Sequence, residues 1–390
     1  MTRGQRMAGL LILAAAQPIF SAQAKAEAEC EAHANRRLAK GEFIFHEEND
    51  AIGVTGSDQN YTQGIRFGYT WQPGCEWEWT KYTAQKFEET GLGRAFGLND
   101  ANRYTRSTSV GAGQHIWTPL NLSDPNLIPT DRPYAGWLYT QLRYDYAAEE
   151  KWTSPNVRAQ SQVSFEMQVG VIGNVSLAEE AQTFIHDHVT HSEHPRGWRH
   201  QLSNEAGIFL KYDWQRRIAH RSKHIDIVPE YSLALGNIQT FVAAGLTLRA
   251  GSNISGFPTQ TLGPSAPPFR SRIEAREIAA PELGGSGSHH CGFSWISECY
   301  LFAEVEGRYF AHNIFLDGNT FADSHSVDKV PFVYDLSAGF RLRFKWRNLT
   351  ANYIHTRRSN EFTPVPADAI NSNGMQEYGA LTFHWDTYLN

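Results

Sequence analysis

The sequence predicts an all-β fold: a 12-stranded antiparallel transmembrane β-barrel with a helical extracellular loop. Three observations predict it. Apolar and polar residues alternate along most of the chain, the period-two signal of strands with one apolar and one polar face. The alternating runs are about ten residues long, enough for a tilted strand to cross a bilayer. Their polar faces repeatedly carry Arg, Glu and Asp, which a dry sandwich core would not hold but a polar barrel lumen would. In 60–71, Ile65, Phe67, Tyr69 and Trp71 point one way, and Thr62, Gly64, Arg66, Gly68 and Thr70 the other. In 332–345, Phe332, Tyr334, Leu336, Ala338, Phe340, Leu342 and Phe344 oppose Asp335, Ser337, Gly339, Arg341, Arg343 and Lys345. Aromatics gather near strand ends, as interfacial girdles do. A secreted all-β sandwich also alternates, but it does not account for the charges.

Composition narrows the class. The chain has 390 residues, with Lys and Arg 35 against Asp and Glu 41, for a net charge of −6. That balance gives no electrostatic footprint for nucleic acid, so no nucleic-acid partner is expected. Mean hydropathy is −0.46, which excludes a helical membrane bundle. Arg3 and Arg6 precede an apolar run and a Ser-Ala-Gln-Ala stretch, so residues 1–24 read as a secretory signal. Residues 25–390 then form one exported barrel domain.

Strands are expected near 42–49, 61–71, 105–117, 136–147, 161–172, 203–214, 224–236, 240–250, 299–311, 331–345, 347–358 and 375–386. Their even number suits a closed bacterial barrel with both termini in the periplasm. Two periplasmic connections, 72–104 and 251–298, are longer than such turns normally are; the first contains an amphipathic stretch, 80–96. Export makes disulfides plausible, and four cysteines allow three connectivities. Topology puts Cys30 with Cys75, and Cys291 with Cys299, at the periplasmic end, which favours those pairs.

Between two clear strands, 173–198 reads as a helix. Ser176 and Glu179 have capping-box spacing. Gln182 and His186 are four apart and share a face, with Leu177, Ala181, Phe184 and Ile185 as the apolar side. On the barrel topology this helix meets four other polar clusters at the extracellular rim: Glu48-Asn49-Asp50, Asn60-Tyr61-Thr62, 115–119 (HIWTP) and 131–136 (DRPYAG). Convergence of that kind marks a candidate site.

These segments resemble the lipid A 3-O-deacylase family of outer-membrane barrels. The matching stretches are END at 48–50, NYTQG at 60–64, HIWTP at 115–119, DRPYAGWLY at 131–139, GVIG at 170–173, EAQTFIH at 180–186 and PRGWRHQLSNE at 195–205. The resemblance implies a calcium-dependent esterase in the bacterial outer membrane that removes the 3-O-linked acyl chain of lipid A, its site facing the outer leaflet. It implies catalytic roles for His186, Thr62 and Asn49. His186 would be the base for water. Asp50, Asn49, Gln182 and Glu193 would hold Ca2+, which favours hard oxygen ligands. Arg132 and Arg196 would bind lipid A phosphates. A lysine that the family carries after the strand-three Pro has no counterpart here; Asp124 lies nearby. The expected partners are lipopolysaccharide and membrane lipid, with the chain a monomer. Three other readings stay open: an outer-membrane phospholipase, a serine hydrolase lacking the Gly-x-Ser-x-Gly elbow, and a porin or structural barrel. Zinc is disfavoured for the histidines crowded at 186–200, because no cysteine is near and His186 and His188 point to opposite sides of a helix.

Overall fold

The computed structural model describes Cys30 and residues 39–52, 60–100, 103–148, 150–190, 194–222, 224–258, 293–345, 349–363 and 375–388. The expected signal, residues 1–24, lies outside the described residues, as does most of 251–298. Twelve strands form the wall: β1 Ala39–Asn49, β2 Asn60–Trp71, β3 Tyr104–Thr118, β4 Ala135–Ala148, β5 Val157–Ile172, β6 Glu205–His220, β7 Ile225–Gly236, β8 Gln239–Ser252, β9 Ile296–Asn313, β10 Phe332–Phe344, β11 Leu349–Arg358 and β12 Gln376–Tyr388. Each expected segment is a strand. Each strand pairs with its neighbours in sequence, and β1 pairs antiparallel with β12, so the sheet closes. Closure satisfies the backbone along the whole wall, which a membrane-spanning sheet requires because lipid offers no hydrogen bonds. A further strand, Lys151–Ser154, only extends the β4–β5 hairpin.

Alternation sets the two faces. Along β6, Ile208, Leu210 and Ile218 are exposed to the outside, while Lys211, Asp213, Gln215 and Arg217 turn inward. The inward charges are not solvated by a wide channel. Arg143 pairs with Asp145 at 2.9 Å, Glu166 at 2.9 Å and Asp213 at 3.0 Å. Arg217 and Arg249 share Asp226 at 2.7 and 2.6 Å. Arg308 and Arg358 share Asp335 at 2.6 and 2.8 Å. Arg143 and Arg249 have no solvent exposure, and Asp226 and Asp335 have 2% and 1%. Charge in a low-dielectric interior has to be paired, and here the lumen wall pairs it with itself. The polar lumen expected from the sequence is closely packed along these strands.

The terminus-bearing end carries the expected Cys30–Cys75 disulfide, with Cα atoms 5.1 Å apart. Cys299 is also disulfide-bonded; Cys291 lies outside the described residues. The opposite end, where β1, β3 and β5 finish, carries the candidate site.

Candidate active site

The site is built on the outside of the wall. Leaving β5, Gly173 adopts φ 88°, a left-handed conformation that suits glycine. A short turn, Asn174–Ser176, leads to helix α1, Ala178–Ile185. The expected capping box does not form. Ser176 is buried and its Oγ donates to Gly173 O at 2.6 Å, so its hydroxyl closes the preceding turn; Leu177, at φ 57°, is the N-cap residue and makes no side-chain cap. Gln114 Nε2 donates to Ser176 O at 2.6 Å and pins the turn to β3. A Cβ at Gly136 would fall on Ser176 Oγ and Ala178 Cβ, so glycine is required for the turn to reach β4.

The docked face of α1 also differs from the expected one. Leu177 and Phe184 are 52% and 59% exposed. The buried residues are Ala178, Gln182 and His186, at i, i+4 and i+8. Ala178 packs with Ile116, Leu122, Tyr134 and Trp198, with Ala181 beside them. Side-chain direction shows which wall surface this is. His115 and Trp117 on β3, and Trp137 and Tyr139 on β4, join the lumen side, so Ile116 and Gly136 face outward. The helix therefore covers the lipid-facing surface of β3 and β4.

Gln182 is held in one orientation. Its Oε1 accepts from Trp198 Nε1 at 2.9 Å, and its Nε2, buried, has no hydrogen-bond partner among the described residues. Flipping the amide would set donor against donor, so Trp198 decides which end is which. Trp198 is itself held: Tyr134 lies 4.9 Å away ring to ring, Leu202 N donates to Tyr134 O at 3.0 Å, and Arg196 N donates to Leu122 O at 2.9 Å. His186, one turn beyond Gln182, is 3% exposed and opens a π-helical turn, His186–Thr190. Single π turns inside helices recur at functional sites.

Thr62 reaches the outer side by a bulge. Strict alternation puts it inside with Gly64 and Arg66, but the β2–β3 register shifts between Tyr61 and Gln63. The extra residue lets Tyr61 stay in the lumen while Thr62 turns out and bonds Thr118 Oγ1 at 2.7 Å. The expectation that Thr62 faces inward is corrected on this ground. Asn49 ends β1 in register with Gln63 and Gly379, on the side of Phe43 and Phe45. Asp50 begins the turn Asp50–Ile52 and is 2% exposed. The strand ends there, so Asp50 is outside the strict alternation.

Behind this surface, on the lumen side, Glu48 is gripped by His46 at 2.6 Å and by Arg66 and Tyr61. Tyr61 OH donates to Glu48, so His115 Nδ1 donates to Tyr61 at 2.6 Å, and His115 Nε2 accepts from Tyr139 OH at 3.0 Å. This network ties β1, β2, β3 and β4 beneath Asn49 and Thr62. Glu48, His115, Thr118 and Trp198 have no role in the sequence reading, although each sits inside one of the quoted motifs.

Arg132 is buried and donates from Nη2 to Glu361 Oε2 at 2.7 Å, with Phe362 5.4 Å below its guanidinium. It clamps the 119–134 loop to the segment after β11. Burial pushes the Glu361 carboxyl up, but Arg132 and Arg358 outweigh it and hold it below its ordinary range. Arg196 is exposed, and Glu193 lies outside the described residues. His188 and His194 are exposed. Among the described residues, the carboxylates that gather closely enough for a metal are Glu230, Glu304 and Glu306, on β7 and β9. All three have protein partners, Glu230 with Gln215, Glu304 with Thr247 and Glu306 with Arg308.

A closed twelve-stranded antiparallel barrel with a charge-packed lumen, and a short helix docked on its outer wall at one rim, defines a membrane β-barrel protein. The chain matches the family described as outer membrane protein LpxR over residues 9–387, and it belongs to that family. LpxR from Salmonella typhimurium has the same fold, with a TM-score of 0.58 at 16% identity over 88% of this chain and 99% of that one. The KdgM porin (TM-score 0.33, 7% identity, 89% of this chain and 99% of that one) and the translocator domain of NalP from Neisseria meningitidis (TM-score 0.34, 9% identity, 95% and 98%) are more distant and carry no functional weight. No curated protein sequence matches the chain.

Proposed function

We propose that this outer membrane protein is a monomeric, calcium-dependent esterase that hydrolyses the 3-O-linked acyl chain of lipid A, working from the outer leaflet. The observation that carries this reading is α1 docked on the lipid-facing wall with Gln182 and His186 on its buried side. A substrate that lives in the membrane reaches such a site laterally. The packed lumen counts against a porin, whose inward charges would have to be open to water.

The donor set fits a hard cation: a buried Asp50 carboxylate, the Asn49 carbonyl at the same strand end, and a Gln182 Oε1 that keeps one lone pair beyond its bond to Trp198, with no sulfur among them. When bound, calcium would polarise the ester carbonyl and supply positive charge for the developing oxyanion. His186 takes a proton from the attacking water as its oxygen bonds the carbonyl carbon, and returns that proton to the departing sugar oxygen. Gln182 Nε2 is free to donate to a substrate oxygen or to the water. Thr62 and Thr118 hydroxyls line the outer surface of β2 and β3 and position the substrate. Arg196 at the exposed rim offers a contact for a phosphate.

The test uses the purified barrel in micelles with lipid A, followed by mass spectrometry of the products. Release of one hydroxyacyl chain, abolished by a chelator and restored by calcium, supports the reading. Intact lipid A with turnover of phospholipid would replace it with a phospholipase. Inertness toward both, from a folded barrel with calcium present, would remove the enzyme reading.

A further inference from the structure

The segment 77–98, at the opposite end from the site, does not enter the lumen. Helix α2, Glu78–Glu88, and the short α3, Gly91–Ala95, lie along the outside of the wall. Thr80, Thr83, Ala84, Phe87 and Glu88 recur at helical spacing and form the docked face. Ala84 and Leu98 pack with Tyr144, Tyr146 and Val163, and Phe87 and Phe96 against Phe165. Arg143, Asp145, Glu166 and Asp213 turn into the lumen, so Tyr144, Tyr146 and Phe165 face the membrane. Polar contacts fix the helix there: Thr83 Oγ1 with Tyr144 OH at 2.7 Å, Tyr146 OH to Glu88 at 3.2 Å, and Arg106 Nη1 to Glu88 at 2.7 Å.

The rest of the α2 surface has two unlike flanks. Trp79, Tyr82 and Lys86 share one; Glu78, Lys81, Gln85 and Glu89 share the other. Trp77, Trp79, Tyr82 and Leu92 are 58%, 49%, 61% and 52% exposed. The aromatic flank continues the barrel's own belt through ring contacts: Tyr69–Trp71 at 5.1 Å, Trp71–Trp77 at 4.9 Å and Trp77–Trp79 at 6.4 Å. Lys86 lies 5.8 Å over the Tyr82 ring, placing a cation beside the aromatics, where long side chains reach for head groups.

We propose that residues 77–98 are an interfacial anchor in the periplasmic leaflet of the outer membrane, with the aromatic flank of α2 seated at the head-group boundary of phospholipids. Trp and Tyr concentrate at that depth because one end of each ring is apolar and the other polar, and amphipathic helices bind there through their apolar flank. Continuity with the wall's aromatic belt selects lipid over a protein partner. The proposal does not depend on the esterase reading.

The test reconstitutes the full chain in phosphatidylethanolamine–phosphatidylglycerol nanodiscs doped with phospholipid carrying a nitroxide near the head-group end or deep in the acyl chain. The tryptophan fluorescence lost in Trp77→Phe/Trp79→Phe relative to wild type is the readout. The proposal expects that difference signal to be quenched most by the shallow nitroxide, less by the deep one, and little by aqueous iodide. Quenching by iodide and by neither lipid would overturn it. So would protection from all three quenchers together with chemical cross-linking of two copies through Lys81 or Lys86. If the double variant fails to fold, Trp79→Phe, which makes no ring contact with the wall, gives the same readout.

Discussion

Among single residues, His186, Gln182 and the groups that aim them carry the proposed chemistry. His186→Ala removes the proposed base, and the rate should fall by about 10²–10⁴, measured on lipid A with the fold checked by heat-modifiable gel migration. Trp198→Phe keeps an aromatic ring beside Tyr134 but removes the N–H that fixes Gln182. One lost hydrogen bond is worth about 1 kcal/mol, so a loss near five- to tenfold in turnover is expected with the barrel intact. An unchanged rate would mean that the amide orientation does not matter. A third residue carries a pH dependence. Glu361 has its carboxyl held below the ordinary range in the folded protein. Its contribution is therefore present above the ordinary value of about 4.3 and is lost as pH falls through the lower, folded value. Proteolytic nicking of the 119–134 loop in vesicles should rise on acidification in the wild type, and Glu361→Gln should show it already at neutral pH.

At the scale of elements, the helix and the bulge show what a sequence can and cannot give. That 173–198 holds a helix with Gln182 and His186 on one side was legible from spacing alone. Its docked face was not, because Leu177 and Phe184 looked like the apolar side in isolation. The partner surface is a membrane-facing wall, and residues turned away from it are not thereby turned to water. The capping box failed for a local reason: Ser176 was already used to close the turn against Gly173 O. Thr62 was assigned the wrong face because one extra residue in β2 shifts the period by one, which alternation cannot signal. The fit of the turn on β4 gives a direct test. Gly136→Val would push Ser176 and Ala178 off the wall. Activity should drop by at least an order of magnitude while the barrel still folds and inserts; retained activity would show that α1 need not dock there.

At the scale of the whole molecule, twelve strands, their antiparallel order and the Cys30–Cys75 tie were readable because they follow from a period of two, an even count and which end each loop occupies. The packed lumen was not, since alternation says which side chains turn inward but not which of them meet, and Arg143 meets Asp145, Glu166 and Asp213 across three adjacent strands. Arg143→Met would leave Asp145 and Glu166 buried without their cation, while Asp213 keeps Lys211 at 2.8 Å; breaking a buried pair typically costs about 3–5 kcal/mol, read as a lower urea midpoint for unfolding from vesicles. The two longer helical segments lie on the lipid-facing side of the wall, α1 over β3 and β4 at the site end and α2 over β4 and β5 at the other, while the short helix Ile314–Asp317 packs on the lumen side with Phe315 against Trp117. The measurement that tests the proposed esterase activity most directly is mass spectrometry of lipid A from cells expressing the wild type, His186→Ala and Asp50→Ala. Loss of one hydroxyacyl chain in the wild type alone is the predicted result. Unchanged lipid A in all three, with the barrel assembled in the outer membrane and calcium present, would contradict it.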